Sequence, residues 1–199
     1  MKDLYSLIKK RRSCRKFKNE SVPEEILRKI ADAARFYASP SNCQSCRFTV
    51  LTEDDKKELL SHMEKEKEDI LTCPDLSERD IYKIKTYYRF GKAFADAPLS
   101  LAFGTADRKS LGQLLASKGL FKDTETPVDI GLGIALQNFS LLCVEEDLGL
   151  CIYTAPMFFL REYKNTDFDF NLKGFIAIGY PDEKPEPLHR LPVEEFCKF

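Results

Sequence analysis

Two short segments hold the residues best suited to chemistry: Lys10-Arg11-Arg12-Ser13-Cys14-Arg15-Lys16-Phe17 and Ser39-Pro40-Ser41-Asn42-Cys43-Gln44. The first is a cationic cluster with a hydroxyl, the second a polar loop with amide side chains. Arginine presents a forked, permanently charged donor set to phosphate oxygens, whereas Ser and Asn supply neutral donors and acceptors. Together they suit a ligand with a phosphate at one end and a hydrogen-bonding heterocycle at the other, so a phosphorylated cofactor is the expected occupant. Plainer readings stay open from these residues alone. A basic turn can simply offset a helix dipole, and Pro, Ser and Asn favour ordinary surface turns.

Cys43-Gln44-Ser45-Cys46 is also a C-x-x-C pair and supports a rival, a thiol redox site or part of a zinc site. Arg47 would favour a thiolate there. The pair leads from a loop into a strand rather than onto a helix N-terminus, and zinc would need two further ligands from Cys73, Cys14 or His62. His62, on a charged helix, and His189, in the tail, read as surface residues rather than bases. No Gly-x-Gly-x-x-Gly follows a strand, and Gly131-Leu132-Gly133 falls inside a helix, so the usual dinucleotide and nucleoside-triphosphate loops are absent.

The elements that must position these segments follow from periodicity. Leu4, Leu7 and Ile8 mark a first helix over 3–12. Pro23-Glu24-Glu25 opens a second, with Ser21 as its cap and Ile26, Leu27, Ile30, Ala33 and Ala34 as its buried stripe. That helix should stop before Pro40, leaving 38–45 as a loop ahead of a strand over 47–51. A charged surface helix covers 53–70, another helix 78–96, and a strand 99–103. The stretch 107–125 is weakly patterned, an excursion or a short helix. Residues 127–146 form a helix that is apolar on more than one side, which must be buried in a core or at a subunit interface. Strands over 149–154 and 173–180 complete the set. Four prolines beyond residue 180 make 182–199 an extended C-terminal arm on a single domain of 199 residues. About four or five strands without regular strand–helix alternation give an α+β fold class.

Composition narrows the partners. A net charge of −1 gives no sign of a nucleic-acid or anionic-membrane partner, and no apolar run has the length of a membrane span. The opening Met-Lys-Asp-Leu-Tyr has no secretory character, and seven scattered cysteines fit reduced thiols, so a cytoplasmic setting is expected.

Four separated segments resemble one family in order and spacing. Arg11-Arg12-Ser13-Cys14-Arg15-Lys16-Phe17, Pro40-Ser41-Asn42-Cys43-Gln44, Ala135-Leu136-Gln137-Asn138 leading to Asp147–Tyr153, and Phe175–Pro181 with His189-Arg190-Leu191-Pro192 are similar to the signatures of the FMN-dependent nitroreductases. Members commonly read Asn-x-Gln-Pro-Trp, whereas Gln44 is followed here by Ser45-Cys46 and the chain has no tryptophan. The resemblance implies a mostly antiparallel sheet flanked by helices and a homodimer with interlaced arms, binding FMN between the subunits. It implies that Arg11, Arg12, Ser13 and Arg190 hold the ribityl phosphate and that Arg15 lies near the pyrimidine edge. Pro40, Ser41, Asn42 and Gln44 would meet the ring or ribityl chain, and the backbone of Tyr153, Thr154 and Ala155 the N5 face. The implied activity is ping-pong transfer of electrons from NAD(P)H through flavin N5 to a nitroaromatic, a quinone or a similar acceptor, with no catalytic side chain or metal. A non-catalytic flavin-binding or sensing module would share the fold, and a narrow acceptor such as an enoate, a halogenated phenol or another flavin would share the chemistry.

Overall fold

The computed structural model describes residues 3–107, 111–120, 122, 126–161, 163 and 168–199. Among them a four-stranded antiparallel sheet has the order β1-β2-β4-β3, with β1 Cys46–Val50, β2 Leu99–Thr105, β3 Gly149–Tyr153 and β4 Asn171–Gly179. Alternation along the strands splits the core into two layers. Leu101, Phe103, Leu150, Ile176 and Ile178 face α2 (Glu24–Ala34) and α6 (Thr126–Glu145), packing with Ile30, Leu132 and Phe139. Ala102, Cys151, Tyr153, Phe175 and Ala177 face α3 (Glu53–Leu71) and α4 (Glu78–Gly91), against Leu59, Met63 and Phe94. The Phe94 and Phe175 rings stack with centroids 4.1 Å apart. Burying each ring contributes roughly 1.5–3 kcal/mol.

The remaining helices are short: α1 (Leu4–Lys10), α5 (Leu111–Ser117) and α7 (Val193–Phe196). The expected excursion over 107–125 holds α5, while residues 108–110, 121 and 123–125 lie outside the described residues. α3 and α4 start on capping boxes, Thr52 with Asp55 and Ser77 with Asp80. Two expected boundaries differ. The cap of α2 is Pro23, with no side-chain bond from Ser21, and its acidic first turn of Glu24 and Glu25 offsets the dipole instead. The helix expected over 78–96 tightens at Gly91 into a 3-10 turn, Lys92–Asp96, where Gly91 lies against the Pro156 backbone. α6 is long and apolar enough to cross a membrane by composition, yet one side packs on α2 and the sheet. Its opposite side, with Ile130 and Ile134, is exposed. The arm from residue 184 onward is largely exposed, including Leu188, Leu191, Phe196 and Phe199.

The free edge of β3 is covered by the segment 11–17. Ser13 bridges Leu150 in parallel, and Phe17 bridges Pro181 just beyond β4. Gly149 and Gly179 face each other in register and leave the room this rail needs. A Cβ on Gly149 would sit 2.7 Å from Cys14 Cβ and Sγ, and one on Gly179 about 3.0 Å from the Phe17 ring. Gly149→Ala is therefore expected to lower stability by about 1–3 kcal/mol through overpacking. Thermal denaturation should show the loss, and Cys14→Gly in the same chain should recover most of it; an unchanged Tm in the single variant would contradict this packing.

Candidate functional site

The rail presents its cations on a rigid backbone. The Cys14 amide donates to Leu150 O at 3.0 Å, Lys18 N to Tyr180 O at 2.9 Å, and Asp182 N to Lys16 O at 2.9 Å. The Arg12 guanidinium donates to the carbonyls of Lys9 at 2.5 Å and Arg11 at 2.8 Å, while its Nε is buried without a partner. Burial holds the Arg11 guanidinium below its ordinary value, and the nearby charges of Arg190 and Arg12 add to the effect. The tail thus brings the charge of Arg190 near Arg11. Among the described residues no carboxylate pairs with Arg11, Arg12, Arg15 or Arg190. Clustered guanidiniums without a counter-ion repel one another, and an anion is what removes that repulsion. Ser13 is half-buried within the cluster.

Beside the rail opens a pocket of about 430 Å³ lined by Arg15, Phe90, Cys151, Ile152, Tyr153, Thr154 and Ala155. Its walls are mostly apolar, with one exposed cation, Arg15, at the rim. A 3-10 turn, Ala155–Phe159, follows β3 and contributes Ala155 to the lining. Burial pushes the Cys151 thiol and the Tyr153 phenol up, which keeps both protonated at neutral pH. The Tyr153 hydroxyl is buried beside Cys151 without a hydrogen bond of normal geometry. Cys14, under the rail, is likewise pushed up to about 11 by burial. Phe90, on α4, is a wall of this pocket that the motifs gave no reason to select; its only signal was an aromatic residue next to the glycine that ends the helix.

The second predicted segment lies elsewhere. Pro40–Asn42 form a 3-10 turn, and Ser41, Asn42 and Gln44 all adopt left-handed φ, 48°, 53° and 48°. Such values in non-glycine residues cost about 1–3 kcal/mol each and concentrate at ligand-gripping loops. The loop is over-determined by its own bonds: Asn42 N to Ser39 O, Cys43 N to Pro40 O, Gln44 N to Ser39 Oγ, and Gln44 Nε2 to Asn42 Oδ1 at 3.2 Å. Arg47 ties it down by donating to Gln44 O, and Tyr37 accepts from Cys46 N. Gly131 of α6 fits beneath, where a Cβ would crowd Tyr37 and Ala38. Cys43 and Cys46 are free thiols, and burial pushes Cys46 up, away from the thiolate that redox or zinc chemistry requires.

In the sheet order, β1 and β3 form opposite edges, three strand spacings or roughly 14 Å apart. The chain therefore brings Arg11, Arg12, Ser13, Arg15, Arg190, Tyr153, Thr154 and Ala155 to one edge and leaves Pro40, Ser41, Asn42 and Gln44 at the other. An apolar cavity of about 600 Å³ between α2 and β1–β2 lies on the latter side and carries no cationic cluster comparable to the rail.

Comparison with known proteins identifies the family. The sequence is 28% identical to iodotyrosine deiodinase 1 of Sus scrofa over 97% of this chain and 67% of that protein. In structure it is similar to a BluB-like flavoprotein from Clostridium difficile 630, with a TM-score of 0.80, 26% identity and coverage of 100% and 99% of the two chains. It also shares its fold with an FMN- and NADPH-dependent nitroreductase, NfnB, from Sphigopyxis sp. strain HMH, with a TM-score of 0.73, 19% identity and the same coverage. The nitroreductase family model matches residues 8–180, the span that contains the rail, the pocket and the left-handed loop. This chain belongs to the nitroreductase family.

Proposed function

We propose that the protein is an FMN-dependent oxidoreductase that takes electrons from NAD(P)H and passes them to a small electron-poor acceptor. The observation that carries this reading is the uncompensated arginine cluster on the rail, with the buried Arg12 Nε lacking a partner, next to a largely apolar pocket. That donor set fits the phosphate of FMN, and the pocket fits an aromatic ring system. FMN, when bound, supplies hydride acceptance and donation at its N5 position. Arg11, Arg12, Ser13 and Arg190 hold the phosphate; Arg15 places positive charge at the pyrimidine edge, where reduction makes the ring more anionic. Tyr153, Thr154 and Ala155 would supply the backbone wall for the reactive ring, with Phe90 lining the same pocket.

Because the two predicted segments occupy opposite edges, the reading includes a homodimer in which Pro40, Ser41, Asn42 and Gln44 of a second copy complete the site. The exposed Ile130 and Ile134 face of α6 and the apolar arm support it. NAD(P)H and acceptor then use one cleft in turn, a ping-pong sequence. Seven free thiols suit a reducing, cytoplasmic setting.

A second reading follows from the deiodinase relative: the acceptor is a halogenated phenol, and halide leaves as the ring is reduced. The deciding experiment begins with the visible spectrum of the purified protein and mass identification of any released chromophore. Stoichiometric FMN with NAD(P)H oxidation driven by menadione or nitrofurazone supports the first reading. Iodide release from 3-iodotyrosine supports the second. Bound FMN without turnover on any acceptor indicates a sensing module, and a colourless protein that does not take up FMN refutes the cofactor assignment.

A further inference from the structure

One acid sits against the cationic rail and none of the roles above uses it. Glu183 Oε1 accepts from Arg15 N at 2.5 Å and from Lys16 N at 3.1 Å. We infer that Glu183 is a positioning residue for the cofactor loop: its carboxylate fills the anion nest made by the Arg15 and Lys16 amides and so fixes the backbone from which the rail presents its guanidiniums, without neutralising them. This rests on the FMN reading above.

Successive amides that converge on one oxygen define a concave backbone geometry, and an ionised acceptor holds it more firmly than a neutral one. The bonds from Arg15 hold the Glu183 carboxyl below the usual carboxylate range, so it is charged at neutral pH. A carboxylate set against an arginine-rich segment would ordinarily pair with a guanidinium and cancel the charge a phosphate needs. Here its charge goes to backbone amides instead, and no guanidinium pairs with it among the described residues. The placement is fixed from both sides. Asp182 N bonds Lys16 O, Lys18 N bonds Tyr180 O, and Phe17 bridges Pro181, so residues 180–183 and 16–18 are clasped around the nest. Glu183 is half-buried, while its neighbours Asp182 and Lys184 are exposed. The clasp also ends there: among the described residues, the arm beyond residue 183 makes no backbone hydrogen bond to the rail.

The test compares Glu183→Ala, Glu183→Gln and, as a surface control, Lys184→Ala. FMN affinity is read by fluorescence quenching, and hydrogen exchange at the Arg15 and Lys16 amides is read in the apo-protein. Glu183→Ala is expected to weaken FMN binding about 10- to 30-fold and to speed exchange at both amides. Both native bonds use one oxygen, which glutamine retains, so Glu183→Gln should recover much of the affinity and the protection. Lys184→Ala should match the wild type in both. Wild-type affinity in Glu183→Ala overturns the inference, including the case where Tm falls, since the residue then only fastens the arm. If the wild type takes up no FMN, the cofactor reading fails instead, and amide exchange still decides whether Glu183 holds the loop.

Discussion

Arg12→Ala is expected to weaken FMN binding about 100-fold while leaving the apo-protein as stable as before. Truncating one partner of a buried, hydrogen-bonded charge pair typically costs at least 2–5 kcal/mol, and about 3 kcal/mol corresponds to that factor. Arg12 is the strongest candidate because its guanidinium is already fixed by the Lys9 and Arg11 carbonyls and its Nε is buried without a partner. Opposite effects act on the apo-protein. The two carbonyl bonds disappear, but so does the repulsion that helps hold Arg11 below its ordinary value. Their near cancellation predicts an apo Tm within about 4 °C of the wild type, since 1 kcal/mol moves a chain of this size by roughly that amount. Arg12→Lys should restore only part of the affinity, because an ammonium keeps the charge but loses the fork. Fluorescence titration gives both dissociation constants; a value for Arg12→Ala within threefold of the wild type would remove Arg12 from the phosphate site.

Ile134→Glu is expected to produce a monomer that has lost its flavin, although the substituted residue is not part of the rail. α6 buries one side against α2 and the sheet and leaves Ile130, Gly133 and Ile134 open on the other. No side chain approaches a Cβ built on Gly133 within 4 Å, so the centre of that face is flat enough for a second helix to come close. A carboxylate placed there would be buried without a partner in a dimer, at a cost of at least about 3 kcal/mol, or more than 100-fold in the dimer dissociation constant. Loss of the dimer would separate the rail from the left-handed loop of the other copy. Sedimentation velocity and the flavin-to-protein absorbance ratio on one sample test both parts. A dimer with full flavin would show that this face is not the interface. A monomer with full flavin affinity would show that one chain suffices to hold FMN.

Much of the fold was legible because its signals are local. Strands at 47–51, 99–103, 149–154 and 173–180 were expected within about two residues of their places, since alternating apolar residues bounded by turns leave little choice. The capping boxes at Thr52 and Ser77 and the apolar run of α6 are similarly local. The helix ending before Pro40 was placed less well. α2 stops at Ala34, and the chain through Tyr37 is used to reach the Cys46 amide, a contact nine residues away that periodicity does not encode.

How the candidate site residues are distributed in space was not legible in the sequence. Arg11, Arg12 and Arg190 do come together, and so do Arg15 and Tyr153–Ala155. The separation of Asn42 and Gln44 from them depends on strand order, set by pairings between residues as distant as Leu101 and Ile176. Glu183 escaped notice for a different reason. In a tail rich in proline and charge it looks like solvated surface, and only its closeness to the end of a buried strand marks it out.

The clasp between rail and strand edge has a consequence for biosynthesis. Residues 11–18 leave the ribosome well over a hundred positions ahead of their partners at Leu150, Tyr180, Pro181 and Glu183. Contacts separated by well over a hundred positions close late, after the sheet that supports them has assembled. The arginine-rich segment therefore waits without its scaffold until the residues through Glu183 have been made, and the cationic rail takes its shape only then. Flavin loading then follows assembly of the sheet, so a cell short of FMN would accumulate folded apo-protein rather than stalled nascent chains.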